Sequence, residues 1–282
     1  MSTSQKITIP YVKKKKVDHQ PITMLTAYDF PSARLVDQAG VDIILVGDSM
    51  AMTVMGHPTT LAVTMDEMIH HSKMVARATE HALLIGDMPF MSYHTGTAEA
   101  IKNAGRFLKE GGMEGVKLEG GMIVTKTIKA IVDCEIPVMG HIGLTPQSVT
   151  KLGGYRVQGK SAVTAQRLIS DAIALQDAGC FAIVLEAIPA KVSEIITSKI
   201  TIPTIGIGAG KYCDGQVLVF HDVLGFYHQT TPKFVKQYAN LNKTILDSVK
   251  KFCQDVEQKK FPSDKYSFNI SRDELQKLKK MR

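Results

Sequence analysis

The stretch 41–52, VDIILVGDSMAM, decides the fold. Its opening, Asp42-Ile-Ile-Leu-Val, is apolar, rich in β-branched residues and too short for an ordinary helix, so it reads as a buried strand. The run stops at Gly47, and Asp48 and Ser49 follow at once. A carboxylate and a hydroxyl just past the C-terminal end of a buried strand stand where α/β proteins build their active sites. A plain cap on the next segment accounts for Asp48 equally well. Taken alone, the stretch leaves the two readings even.

Working outward, the same unit recurs. A strand at 22–26 leads through Asp29 and Pro31 into a helix that Gly40 stops. After the 41–46 strand comes a long loop containing Met and Gly. Thr64 and Glu67 then form a capping box for a helix whose face carries Met65, Met68, Ile69, Ser72, Val75, Ala76 and Thr79, with the methionines as core filler. Further strands are predicted at 82–86, 115–118, 136–139, 181–185, 203–207 and 215–220. Helices are predicted at 97–110, 122–132, 161–178, 190–198 and 232–254. A glycine-rich loop, 142–160, is long for a simple connection. Strand and helix alternate about eight times without a composition break. That pattern argues for a parallel sheet closed as a single-domain (β/α)8 TIM-type barrel, with a doubly wound open sheet as the alternative. The expected organisation is an N-terminal arm at 1–20, the barrel at 21–254 and a polar, lysine-rich tail at 255–282.

The chain has 282 residues, 44% hydrophobic and 22% charged, enough for a sizeable core. Its net charge of +7 is largely local, in the KKKK run at 13–16 and in the tail. Both clusters read as solvated basic arms, which weakens a nucleic-acid reading. Cys134, Cys180, Cys213 and Cys253 are scattered, without C-x-x-C. They carry no zinc or disulfide signature and read as small buried hydrophobes. There is no long apolar span and no signal-like start, so a soluble cytoplasmic chain with no membrane partner is expected.

Four predicted strands end in a carboxylate: Asp48, Asp87, Glu119 and Glu186. His141 follows a fifth. In a barrel these ends converge on one mouth. Clustered carboxylates repel and raise one another's pKa, which a bound cation relieves. Oxygen ligands without cysteine favour Mg²⁺ or a similar hard ion. Lys117, two residues before Glu119, faces the same way and needs a counter-charge. Gly206-Ile-Gly208-Ala-Gly210 lacks the dinucleotide spacing and reads best as tight turns at the mouth. His57, His70, His71 and His94 show no metal spacing and read as surface or loop residues.

Several motifs, in order, resemble the ketopantoate hydroxymethyltransferase family: MLTAYD at 24–29, VGDSMAMTVMGHPTT at 46–60, DMPFMSY at 87–93, VKLEGG at 116–121, VMGHIGLTPQS at 138–148, and IGIGAG with CDGQVLVFHDVLG between 205 and 225. The resemblance runs from about Ile22 to Leu241. It implies a (β/α)8 barrel that binds Mg²⁺ and assembles as a homo-oligomer, often a decamer. It implies metal ligation by Asp48, Asp87 and Glu119. Contact with the 2-oxoacid is implied for Asp48, Ser49, Asp87 and Lys117, and the base is implied to be Glu186. The implied reaction moves a hydroxymethyl group from 5,10-methylenetetrahydrofolate to 3-methyl-2-oxobutanoate, through a Mg²⁺-stabilised enolate, in pantothenate synthesis. His141 is placed on the donor side. The nearest rival is a lyase or mutase barrel of the phosphoenolpyruvate/pyruvate superfamily, whose isocitrate lyase-type KKCGH loop is absent. A basic protein binding RNA or anionic surfaces is the rival of another class, and it leaves the strand-end acids unexplained.

Overall fold

The computed structural model describes residues 5–227 and 232–281; residues 1–4 of the expected arm and Arg282 of the tail lie outside the described residues. The strands are β1 (Ile22–Thr26), β2 (Ile43–Val46), β3 (Leu83–Asp87), β4 (Gly115–Glu119), β5 (Val138–Gly143), β6 (Ala182–Glu186), β7 (Thr204–Ile207) and β8 (Gly215–Leu218). Each pairs in parallel with the next, and β8 pairs with β1 to close the barrel. The open-sheet alternative is thereby excluded.

Side chains two apart on a strand share a face. One inward set, including Met24, Ile43, Ile85, Met139, Val184 and Ile205, fills the barrel with a single apolar cluster. Two residues further along the same faces stand Asp87 after Ile85, His141 after Met139 and Glu186 after Val184. Glu119 and Lys117 share the inward face of β4. A polar layer therefore caps the apolar filling at the C-terminal mouth.

The other end is closed by the helix Ile9–Val17. Thr8 caps it, and its Val12 is fully buried in the barrel cluster. The lysine run on this helix is not a free arm, which corrects the expectation. Lys15 Nζ lies 2.5 Å from Asp42 Oδ1 and Lys16 Nζ 2.9 Å from Asp214 Oδ2. These two acids stand just before β2 and β8, so the lysines tie the helix to the floor of the barrel. Asp42 also accepts from Thr23 N and Oγ1 (2.8 and 2.9 Å), and Asp214 from Thr204 N and Oγ1 (2.8 and 3.0 Å).

Other expectations shift. The strand predicted at 136–139 starts two residues later and runs to Gly143, because Pro137 has no N–H to give the ladder. His141 therefore lies inside β5, in register with Glu119. Gly143, at φ +99°, ends the strand where an added Cβ would meet the Glu186 carbonyl oxygen at 2.2 Å. Residues 208–214 link β7 to β8 without a helix. The helix predicted at 232–254 spans Leu241–Glu257, beginning where Asn240 Oδ1 accepts from Lys243 N at 3.1 Å. Only Cys180 is buried; Cys213 is half-buried, and Cys134 and Cys253 are exposed.

The chain divides into two compact units. One is the barrel, running to Val223 and taking in Lys236; the other starts at Leu224 and resumes at Gln237. In the second, Leu241–Glu257 buries no residue and exposes Ile245, Val249, Phe252 and Val256 along one face. Among the described residues no helix is long and apolar enough to cross a membrane.

Candidate active site

Asp48 does not cap the helix Met50–Thr53 that follows it, and Ser49, at the cap position, makes no capping bond either. Both side chains turn to other partners. Asp48 Oδ2 accepts from Gln147 Nε2 at 2.9 Å, and Ser49 Oγ is 2.8 Å from Tyr28 OH. The choice left open by the sequence falls against the cap.

Asp48, Asp87, Lys117, Glu119 and His141 are all buried together at the mouth. Asp48 N donates to Asp87 Oδ2 at 3.1 Å, which fixes β2's end against β3's. Lys117 Nζ stands 2.8 Å from Asp87 Oδ1, 3.8 Å from Glu119 Oε1 and 3.2 Å from His141 Nδ1. His141 lies between two acids, with Nδ1 3.5 Å from Glu119 Oε1 and Nε2 3.1 Å from Glu186 Oε2. Glu186 is the most open of the four acids, its side chain 15% exposed. Ala187 after it is held at φ +47°, a left-handed conformation that L-residues with a side chain rarely adopt and that clusters at functional sites.

The protonation pattern follows from burial and crowding. Burial, then repulsion from Asp87 and Glu119, pushes Asp48 well above the usual carboxylate range. Burial also raises Asp87, with Lys117 opposing it. Glu119 is buried too, but His141, Lys117 and the Gln147 N–H hold it below its ordinary value. Burial would neutralise Lys117, yet Asp87, Glu119 and Asp48 keep it firmly charged. Burial and the Lys117 charge disfavour the imidazolium of His141, but Glu119 and Glu186 outweigh them and push it up to about 9.

Sequence reasoning brought seven of these residues together, Asp48, Ser49, Asp87, Lys117, Glu119, His141 and Glu186, and missed three. Gln147 lies in the PQS segment of a quoted motif, but no period or spacing marks it. Tyr93 OH donates to Gln147 Oε1 at 2.6 Å and sits 3.3 Å from Glu119 N. Tyr28 is fully buried beside Ser49, and burial raises its phenol to about 12. Of the histidines set aside in the sequence, two pack behind residues of the mouth. His71 Nδ1 bonds the Tyr28 carbonyl at 2.6 Å, and His94 packs on the Tyr93 ring with centroids 4.1 Å apart. The glycines after β7 serve a close turn: a Cβ at Gly210, at φ +79°, would sit 2.4 Å from that of Ala190.

The donor set fits a hard divalent cation. Asp87 Oδ1 and Glu119 Oε1 are buried oxygens that accept no aligned hydrogen bond, despite the nearby Lys117 charge. With every group ionised, Asp48, Asp87, Glu119 and Glu186 outnumber Lys117 and His141, leaving the cluster negative. Among the described residues no group of three or more acids, histidines or cysteines is placed to hold a metal ion by itself. An ion such as Mg²⁺ typically takes one or two protein carboxylates and fills the rest of its shell with water or substrate.

Fold and mouth together point to a class: (β/α)8 barrels, whose enzymes build their active sites at the C-terminal strand ends. Solved structures of this shape include phosphonopyruvate hydrolase complexed with oxalate and Mg²⁺, at TM-score 0.60 and 13% identity, covering 97% of this chain and 96% of the other. Another is 2,3-dimethylmalate lyase, a member of the PEP mutase/isocitrate lyase superfamily, at TM-score 0.59 and 14% identity, covering 97% and 94%. At such identity they share the fold alone. The profile of the ketopantoate hydroxymethyltransferase family matches residues 6–264. A 3-methyl-2-oxobutanoate hydroxymethyltransferase of Clostridium botulinum (strain Alaska E43 / Type E3) is 54% identical over 273 residues, 97% of this chain and 99% of that protein. One from Syntrophomonas wolfei is 52% identical over 273 residues, with the same coverage of 97% and 99%. The chain belongs to the ketopantoate hydroxymethyltransferase family and is an enzyme of it.

Proposed function

We propose that this chain adds a hydroxymethyl group from 5,10-methylenetetrahydrofolate to C3 of 3-methyl-2-oxobutanoate, giving ketopantoate for pantothenate synthesis. The observation that carries the reading is Glu186, an accessible acid at the rim of a buried, charged mouth, with His141 Nε2 3.1 Å from its carboxylate.

Asp48 and Asp87 would hold Mg²⁺, with Glu119 as the third acid of the site. When bound, the ion supplies Lewis-acid polarisation of the keto oxygen and offsets the negative charge. The chain's own groups do the rest. Lys117 Nζ and Ser49 Oγ orient the substrate carboxylate, Ser49 being held by Tyr28. Glu186 takes the C3 proton, and His141 Nε2, 3.1 Å from its carboxylate, keeps that carboxylate aimed. C3 then bonds the methylene carbon of the donor. One water completes the hydroxymethyl group, and tetrahydrofolate leaves. This assignment keeps His141 beside the base instead of on the donor side.

The apolar stripe Ile245, Val249, Phe252 and Val256 supports a homo-oligomer, since a lone chain rarely leaves such a face bare. Sedimentation of a monomer at micromolar concentration would remove that part. The function itself is tested by incubating the chain with Mg²⁺, 3-methyl-2-oxobutanoate and methylenetetrahydrofolate. Ketopantoate should accumulate, with loss on chelation; no product under these conditions rejects the reading.

A further inference from the structure

We propose that Gln147 is a positioning residue that fixes which carboxylate oxygens of Asp48 and Glu119 face the divalent ion. The inference rests on the reading of the mouth given above.

The orientation of its amide is settled by its partners. Tyr93 OH donates to Oε1 at 2.6 Å, so Nε2 faces the other way. There it donates to Asp48 Oδ2 at 2.9 Å and to the Met88 carbonyl at 3.0 Å. Two N–H protons meet two acceptors, and a flipped amide would set its oxygen against both. The backbone N–H of Gln147 donates to Glu119 Oε2 at 3.0 Å. One residue on the loop after β5 thus reaches the ends of β2, β3 and β4. With Asp48 Oδ2 and Glu119 Oε2 taken, Oδ1 and Oε1 are the oxygens kept for a ligand. Glu119 Oε1 is a buried atom with no hydrogen-bond partner. Gln147 is itself only 5% exposed, so water does not replace it readily. Groups that hold metal ligands from behind set ligand geometry, and their loss typically costs about 10–100-fold in metal affinity.

The test uses Mn²⁺ alone as the probe, titrated into the full chain and followed by electron paramagnetic resonance, beside steady-state kinetics. Gln147→Ala, and the isosteric Gln147→Glu that lacks the N–H donors, should weaken Mn²⁺ binding about 10–100-fold. Both should lower kcat while KM for the folate donor is unchanged. Tyr93→Phe keeps Gln147 but removes the hydrogen bond that braces its Oε1, and should weaken Mn²⁺ binding in the same direction by less. A lower melting temperature with wild-type Mn²⁺ affinity in the Gln147 variants would reduce the residue to packing and overturn the proposal. If those variants do not fold, Tyr93→Phe decides, and unchanged affinity there overturns it. Failure of the wild-type chain itself to bind Mn²⁺ refutes the reading of the site, and this inference with it.

Discussion

Replacing Lys117 by methionine keeps much of the side chain's length and removes the cation from the middle of three buried acids. Lys117 is 3% exposed, with carboxylate oxygens at 2.8 and 3.8 Å. At an effective dielectric of about 20, such contacts are worth on the order of 4–6 kcal/mol each before desolvation is subtracted. Breaking a buried charge set by removing one partner leaves a net cost of about 3–5 kcal/mol. For a unit of this size that lowers the melting temperature by roughly 6–20 °C. The cost should depend on pH with a definite sign. Without Lys117, Asp87 and Asp48 are pushed further up, and the folded state resists their ionisation. Stability is then lost as pH rises from the ordinary carboxylate range up through the raised folded-state values of these two acids, and is regained as pH falls. Thermal melts of Lys117→Met in chelator at pH 8 and pH 5 should show a large deficit at the first and a smaller one at the second, with Mg²⁺ restoring part of it at pH 8. A wild-type melting temperature at pH 8 in chelator would refute the reasoning.

Asp87→Ala should abolish Mg²⁺-dependent binding of 3-methyl-2-oxobutanoate, read by calorimetry; unchanged affinity would contradict the assignment of Asp87. Tyr28 is neutral when buried, and its phenol is raised from 10.0 to about 12. Its contribution to stability is therefore present below pH 10 and lost between pH 10 and 12, at about 1.4 kcal/mol per pH unit. Tyr28→Phe should flatten the fall in denaturant midpoint across that window by this amount, and an identical slope in the variant would remove the effect. Val12→Ala at the barrel floor should cost about 2 kcal/mol in a denaturant titration, from lost burial of an apolar side chain. No change there would mean that the N-terminal helix does not close the barrel in solution.

Much of the site was legible because barrel strands translate sequence into position by a fixed rule. Apolar runs of four to six residues gave the strands, and an acid at the end of four of them gave the mouth. Lys117 could be aimed inward from its two-residue offset to Glu119 alone. What stayed hidden depends on contacts far apart in the chain. Gln147 meets Asp48 across 99 residues, from a loop with no period to expose it. Lys15 and Lys16 looked solvated because a run of like charges says nothing of the acids waiting before β2 and β8. His141 was placed beyond its strand because Pro137 shifts the start of pairing, which the apolar pattern of 136–139 does not reveal. The exposed Cys134 and Cys253 were misjudged from residue type, where only the surroundings decide.

The central claim is that Glu186 takes a proton from C3 of the 2-oxoacid in this mouth. Proton NMR in deuterated water, with Mg²⁺ and 3-methyl-2-oxobutanoate but no folate, measures that step alone. The wild-type chain should exchange the C3 hydrogen for deuterium, while Glu186→Gln should bind metal and substrate and exchange nothing. Full exchange by Glu186→Gln would contradict the claim and assign the base to another group.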